Sequence, residues 1–521
     1  MSDPTVRPDQ APAAEATPVR IVFKDPYVKS VKAETAEGIE LHFPLFEAEA
    51  LPDILRAVRS HSRVVFAQVS RSEIQSAMDR LDASFADPDS PDVRAIVDLI
   101  HRIDGFSKHD IERFGLGIFR LLVDYDRALI GRFVKQAFGT RRPVETAFGH
   151  LQRFGANSPF VRRREPGLVS HFASGNVVGY SAILTRIGLP VENGGGERGG
   201  ATRESRGQGV VARRGAGGGA AQVIKLPSTS AVFPMLYLSK MAEFAPLVRQ
   251  TMACGYWKGG DRTVEDLLLA ESDAVNVLGS EATVRDIGVR AGRLGLRPVI
   301  LGHGHKVGAA YISREFAGSS ALCDKVIEGL VRDISAFDGA ACYCTKNVYV
   351  QGDHVAFAET LAGALGRFAS TISPVNPSMK PVGRGLGRVF AGAASVLASD
   401  DDAAFVRLAD KPVFWFPDEA YRYVQVMPAD NMKAVADALA AGRHFLQTVI
   451  VAVPDGEILD ALELLGGAGA SNIHYPGSAA LLNVYEEPHD GDFDFVKIRY
   501  PYKVRFAATN FKRNADWLRS S

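Results

Sequence analysis

From His171 onward, short apolar runs of strand length alternate with stretches long enough to be helices. Val223-Ile224, Ala274-Val275-Asn276-Val277-Leu278, Val299-Ile300-Leu301 and Ala310-Tyr311-Ile312 each stand between such stretches. The alternation constrains the fold more than any other feature, because it is the rhythm of a parallel sheet whose strands are joined by crossover helices. It predicts an α/β chain and raises the expectation of a nucleotide cofactor. At 521 residues, 46% hydrophobic and 23% charged, the chain can bury a large core and should divide into two or three domains.

The N-terminal part has a different texture. Between Arg20 and Phe46 lie β-like patches, Ile21-Val22-Phe23 and the alternating Ile39, Leu41 and Phe43. Apolar residues then recur at three- and four-residue intervals over 51–58, 72–81, 93–103 and 108–138, which predicts helices with Ser72, Asp92 and Ser107 as caps. The expected organisation is a disordered leader over 1–18, a mainly helical region over 19–150 and a Rossmann-like cofactor domain over 151–305. A catalytic α/β domain over 306–485 and a C-terminal segment over 486–521, supporting a subunit interface, complete it. Within the cofactor domain, 191–220 is crowded with Gly and Arg, cannot bury enough apolar surface to order itself, and is expected to be a flexible insertion.

Charge and cysteine usage narrow the class. A formal net charge of zero gives no global field to draw in nucleic acid or an anionic membrane. No stretch reaches the roughly 20 apolar residues of a membrane span, and the first residues lack the basic start and apolar centre of a signal peptide. Cys254, Cys323, Cys342 and Cys344 are too few for a disulfide framework, and they lack the paired spacing and nearby histidines of a zinc site. No metal is expected, and the expected compartment is the cytoplasm.

Cys342 is the candidate nucleophile. It lies in Phe337-Asp338-Gly339-Ala340-Ala341-Cys342-Tyr343-Cys344-Thr345, where small neighbours let a substrate carbon approach the sulfur, just ahead of the β-rich Asn347-Val348-Tyr349-Val350. Cys344 competes for the role, as nucleophile or resolving thiol. Asn176, after Gly175 in a strand-to-helix turn, can donate to an oxyanion; its simpler role is that of a turn residue. Lys225 and Ser228 follow a strand, where the Lys can meet a phosphate or ribose. Gly279 and Ser280 form a tight turn before a helix, suited to close approach by a phosphate. His303 and His305 stand in the Gly-rich turn Leu301-Gly302-His303-Gly304-His305-Lys306, from which either can take the thiol's proton or act as a structural donor.

In this order, the motifs resemble those of the aldehyde dehydrogenase superfamily. More narrowly they resemble the acyl-CoA reductase family typified by the fatty-acid reductase subunit of bacterial luminescence. The narrower likeness adds Arg422-Tyr423-Val424-Gln425-Val426, Leu446-Gln447-Thr448-Val449 and Pro488-His489-Asp490-Gly491. The resemblance implies an aldehyde dehydrogenase-like α/β fold, with a Rossmann-like cofactor domain, an α/β catalytic domain and a helical N-terminal region. It implies that Cys342 takes the acyl group from a thioester, that Asn176 and the Cys342 N–H bind the oxyanion, and that Lys225, Ser228, Gly279 and Ser280 hold the cofactor.

In many NAD-preferring members an acidic residue stands where this chain has Ser228. A carboxylate there would repel a 2′-phosphate, so NADPH is expected ahead of NADH. Hydrolytic members carry a Glu in the Gly-rich turn to activate water, and this turn has none, which favours a reductase over an oxidising aldehyde dehydrogenase. A silent subunit of a larger reductase complex is the alternative outside catalysis. The implied partners are an acyl-CoA or acyl-carrier protein substrate and either a second copy of the chain or an acyl-transferring synthetase subunit. His489-Asp490 is read as a loop turn ahead of a supporting pair in the site.

Overall fold

Crossover connections need both faces of a parallel sheet covered, and the chain supplies the covering helices between nearly every pair of strands. A computed structural model describes residues 19–36, 38–124, 166–190, 219–417, 420–480, 489–491 and 497. The expected leader, the helix beyond 124, most of the 191–220 insertion and most of the C-terminal segment lie outside these residues.

The first strands are β1 (Val19–Val22), β2 (Val31–Ala36) and β3 (Ile39–Pro44), in the order β1-β3-β2. Sequence reading finds β1 and β3 but not β2, whose Val-Lys-Ala-Glu-Thr-Ala has no buried face and so carries no apolar signal. This small sheet is fastened to the segment 249–256. Phe46 N–H donates to the Tyr256 carbonyl (2.9 Å), and the buried Asp25 accepts from Arg249 (2.6 Å) and from the Cys254 N–H (2.9 Å).

The helices Leu51–Gln68, Arg71–Ala86 and Pro91–Asp104 follow, each burying an apolar stripe. Two expected caps shift. Ser70, not Ser72, caps the second helix through a reciprocal pair with Glu73, and Asp92 falls inside the first turn of the third, after Ser90 and Pro91. Ser107 does cap its turn, accepting from Asp110 N–H at 3.0 Å. The continuous helix expected from 108 is instead a short turn, a π-helical turn at Ile111–Gly115, and a helix at Gly117–Asp124. The interruption has a packing cause: Gly115 passes so close to Val178 and Gly179 that a Cβ on Gly179 would overlap the Gly115 carbonyl.

The second sheet contains β4 (Leu168–Phe172), β5 (Ala221–Lys225), β6 (Met252–Gly255), β7 (Ala274–Leu278) and β8 (Val299–His303). All its pairings are parallel, in the order β6-β5-β4-β7-β8. Chain order reverses between β4 and β7. In an open α/β sheet such a switch point opens a crevice at the carboxyl ends of the strands.

Three residues after β8 the chain enters the third sheet. It holds β9 (Val307–Ile312), β10 (Thr345–Val350), β11 (Val396–Ala398), β12 (Phe405–Leu408), β13 (Tyr423–Pro428), β14 (Leu446–Ala452) and β15 (Asn472–His474). The order is β11-β12-β13-β10-β9-β14-β15, antiparallel only at β11. One apolar cluster runs without a break from the N-terminal helices (Phe85, Ile100, Phe119) through Ile224 and Phe233 to Val350 and Leu361. Such continuity fixes the two α/β sheets against each other, and the crevice between them holds the site.

Candidate active site

The strand ends of both sheets face a shared cavity of 810 Å³. Its lining includes the residues singled out for chemistry in the sequence except Cys344: Asn176 after β4, Lys225 at the end of β5 and Ser228 after it, Gly279 and Ser280 after β7, His303 at the end of β8 and His305 after it, and Cys342 ahead of β10. Cys342 comes from the turn at the amino end of β10, and the other residues arrive together for one reason. Parallel strands deliver their carboxyl ends to one edge, and the turns that follow carry the polar residues.

The two cysteines separate cleanly. Cys342 is partly exposed to the cavity, whereas Cys344 is fully buried, with its thiol donating to the Ala336 carbonyl at 3.3 Å. Burial pushes the Cys344 thiol up to about 12, so it stays protonated. Both lie in the turn preceding β10 rather than on the strand, so the alternation of a strand does not set their facing. Asn176 is exposed on the other wall and donates from Nδ2 to the Ala340 carbonyl at 2.8 Å, two residues before Cys342. Gly175 beside it must be glycine, because a Cβ would overlap the Thr229 carbonyl of the neighbouring loop.

On the cofactor side, Lys225 lies 5.5 Å from the Trp257 ring centroid and 5.8 Å from that of Tyr256, and burial lowers its pKa. Ser228 is exposed. Ser280 caps the helix Glu281–Arg293, accepting from Thr283 N–H at 3.2 Å. The unpaired amides of that helix's first turn therefore open beside Gly279, the usual arrangement for an anion.

His303 is engaged by His489 and Asp490. Its Nδ1 pairs with Asp490 Oδ2 at 2.9 Å, and its ring stacks on His489 with centroids 3.7 Å apart and planes 11° off parallel. Asp490 also accepts from Gln447 Nε2 (2.7 Å), and Tyr180 shares a 2.6 Å hydrogen bond with His489 Nδ1. Burial works to raise the Asp490 pKa, but the His303 hydrogen bond and the imidazole charges outweigh it and hold the carboxyl below its usual range.

His303, His489 and Asp490 bring their ligand-type atoms within 4.8 Å of one another. His305 packs edge-on against Phe416, and desolvation and the nearby Lys346 charge lower its pKa. Among the described residues no hydrogen bond joins either imidazole to Cys342.

Sequence reading missed Tyr180 and Lys346, held Gln447 only as part of a family likeness without a role, and took His489-Asp490 for a turn. Asp490 does occupy a turn, at φ 52°, but its carboxylate faces His303 in the site. Lys346 is buried beneath the cysteine turn, donating to the Tyr421 carbonyl, and burial brings its pKa down to about 8. Only the cluster of His489 and Asp490 near the chain end, set against a His-rich turn, signalled such a contact.

A five-stranded dinucleotide-type sheet, a second parallel sheet bearing a thiol at its mouth, and one crevice between them define the aldehyde dehydrogenase fold. Solved structures with this fold include methylmalonate-semialdehyde dehydrogenase from Oceanimonas doudoroffii (TM-score 0.63, 13% identity, covering 93% of this chain and 97% of that one). Delta-pyrroline-5-carboxylate dehydrogenase from Mycobacterium tuberculosis, bound with NAD, matches at TM-score 0.60 and 15% identity over 91% and 88%. The NADP-dependent glyceraldehyde-3-phosphate dehydrogenase from Bacillus halodurans, complexed with NADP, matches at 0.57 and 13% over 86% and 87%. Identities this low establish the fold alone. No curated protein matches the chain in sequence. The family model for acyl-CoA reductase (LuxC) matches residues 218–498, more than half of the chain, and the chain belongs to that family. It is an oxidoreductase that reduces an acyl thioester to an aldehyde.

Proposed function

We propose that the chain reduces an acyl-CoA or acyl-carrier thioester with NADPH, through an acyl group carried on Cys342. The observation that carries this reading is the division of labour in the cysteine turn: Cys342 opens to the cavity that Asn176 and the cofactor-side residues line, while Cys344 is buried and bound to Ala336.

In the first step the Cys342 thiolate attacks the thioester carbonyl, a new C–S bond forms, and the oxyanion is met by Asn176 Nδ2 and the Cys342 N–H. Collapse of that adduct breaks the old C–S bond, and the departing thiolate takes up a proton. A nicotinamide cofactor fits the other half of the cavity: the first-turn amides after Ser280 suit its pyrophosphate, and Lys225 and Ser228 suit its adenosine ribose. Bound there, NADPH supplies the hydride that reduces the acyl carbon. Asn176 again stabilises the resulting thiohemiacetal oxyanion, and its collapse frees aldehyde and regenerates the Cys342 thiolate.

Keeping water from the acyl group favours reduction over hydrolysis. Among the described residues, the three carboxylates lining the cavity all carry partners: Glu265 (2.6 Å) and Asp286 (3.4 Å) face Arg290, and Asp490 faces His303 and Gln447. A carboxylate so engaged is a poor base for activating water.

Mass spectrometry of the protein mixed with a panel of acyl-CoAs, then with NADPH, tests the proposal. The expected result is a mass gain absent from Cys342→Ala, retained in Cys344→Ala, and discharged as aldehyde. Acylation that survives in Cys342→Ala sinks the assignment of the nucleophile.

A further inference from the structure

Beneath the cysteine turn lie buried charges that the chemistry above does not use, arranged around an uncommon piece of backbone. Phe337 (φ 48°), Asp338 (φ 55°) and Gly339 (φ 76°) are three successive left-handed residues, ending three positions before Cys342. Two of them carry side chains that oppose this conformation, so it persists only where surrounding contacts over-determine it. Arg422, fully buried just before β13, donates from Nε to Asp338 Oδ1 (3.0 Å), with Nη2 lying 2.8 Å from the same oxygen. Asp338 Oδ2 accepts the Asn376 N–H at 3.1 Å. Ser373 fixes Arg422 in turn, its carbonyl accepting from Nη1 (2.7 Å) and its hydroxyl from Nη2 (3.1 Å). The Phe337 ring packs edge-on against Phe106 of the N-terminal region. Ala340 N–H then closes the turn onto the Phe337 carbonyl (3.0 Å), and the Ala340 carbonyl is the group that holds Asn176.

We infer that Arg422 and Asp338 form a positioning clamp for acyl transfer: by keeping 337–339 left-handed they set the Ala340 carbonyl that orients Asn176 and the turn that presents Cys342. Both act through other residues and touch no substrate, so they are positioning residues. A buried ion pair contributes little net stability, since desolvation offsets its attraction, and its best-supported use is to select one conformation. The bonding here fits that use, because one carboxylate joins a guanidinium and a distant backbone amide to the middle residue of the left-handed run. The inference rests on Cys342 being the nucleophile.

The test uses the full chain carrying Asp338→Asn or Ser373→Ala, with wild type and Cys342→Ala alongside, each checked for folding by circular dichroism and melting. Acylation is followed by intact mass in single turnovers, with steady-state kcat and KM, and hydrogen exchange is read over 337–342. Folded Asp338→Asn should acylate about 100-fold more slowly, the loss expected from a small misplacement of a reacting group. Ser373→Ala, which removes one hydrogen bond to the guanidinium together with the hydroxyl's bonds to Asp110 and Ser107, should lose about tenfold. Both should keep KM for NADPH and show faster exchange over 337–342. Folded variants with wild-type acylation and exchange overturn the clamp, and if Asp338→Asn does not fold, Ser373→Ala decides. A wild-type protein that is not acylated on Cys342 overturns the nucleophile instead, and the exchange result still judges the clamp.

Discussion

Gly339→Ala should damage both stability and turnover, and the structure sets the size of each effect. At φ 76° an alanine meets the left-handed penalty of roughly 1–2 kcal/mol. Its Cβ would also overlap the Tyr421 carbonyl oxygen, lying 2.7 Å from the carbonyl carbon and 2.5 Å from Lys346 Nζ. The backbone at Tyr421 cannot yield cheaply, so the hydrogen bond from Lys346 to that carbonyl is lost, a charge-assisted bond of about 1.5–3 kcal/mol. Together these give a destabilisation of about 2.5–5 kcal/mol.

Cys342 stands three residues on, and a displacement near 1 Å lowers the rate about 100-fold. Two controls separate the causes. Gly352→Ala, at φ 131° with open space around it, isolates the backbone strain, and Gly466→Ala, near the end of its helix with nothing within 4 Å, should be neutral or slightly stabilising. Urea titration and steady-state kinetics supply the readouts. Gly339→Ala with stability within about 1 kcal/mol of wild type and kcat within about threefold would refute the claim that this turn is rigidly determined.

Asn176→Ala should lower kcat about 100- to 1,000-fold, the loss seen when an oxyanion donor is removed, with little change in acyl-CoA KM; a rise in KM alone would make Asn176 a binding residue. Ser228→Asp should move cofactor preference from NADPH towards NADH by placing a carboxylate where a 2′-phosphate is expected, checked by the ratio of kcat/KM for the two cofactors. Lys346 supplies a pH test. Burial lowers its folded pKa to about 8 from 10.5, so as pH falls through this window the unfolded chain takes up the proton first and stability declines until about pH 8. Lys346→Met should lack that slope in urea titrations between pH 8 and 10.5, and a slope unchanged from wild type would contradict a buried, depressed lysine.

The alternation of apolar runs with helix-length stretches was enough to place β5, β7, β8 and β9, because parallel strands covered by helices read as mostly apolar runs. The same logic made Asn176, Lys225, Gly279, His303 and Cys342 legible, since each stands at or just beyond a strand end or before a strand start. A polar strand such as β2 and a helix broken by the passage of Gly115 against Gly179 carry no such signal.

What the sequence by itself determined, then, is the order of elements and the residue types at their ends, which local periodicity and turn chemistry dictate. Tertiary structure alone decided which of two thiols in one short turn is exposed, since Cys344 is silenced by burial against Ala336 rather than by its neighbours in the chain. It also decided that Asp490 meets His303, and that Arg422 meets Asp338 beneath the cysteine turn. These contacts join residues 187 and 84 positions apart, and pairing across such separations depends on how sheets pack, a quantity no local pattern encodes.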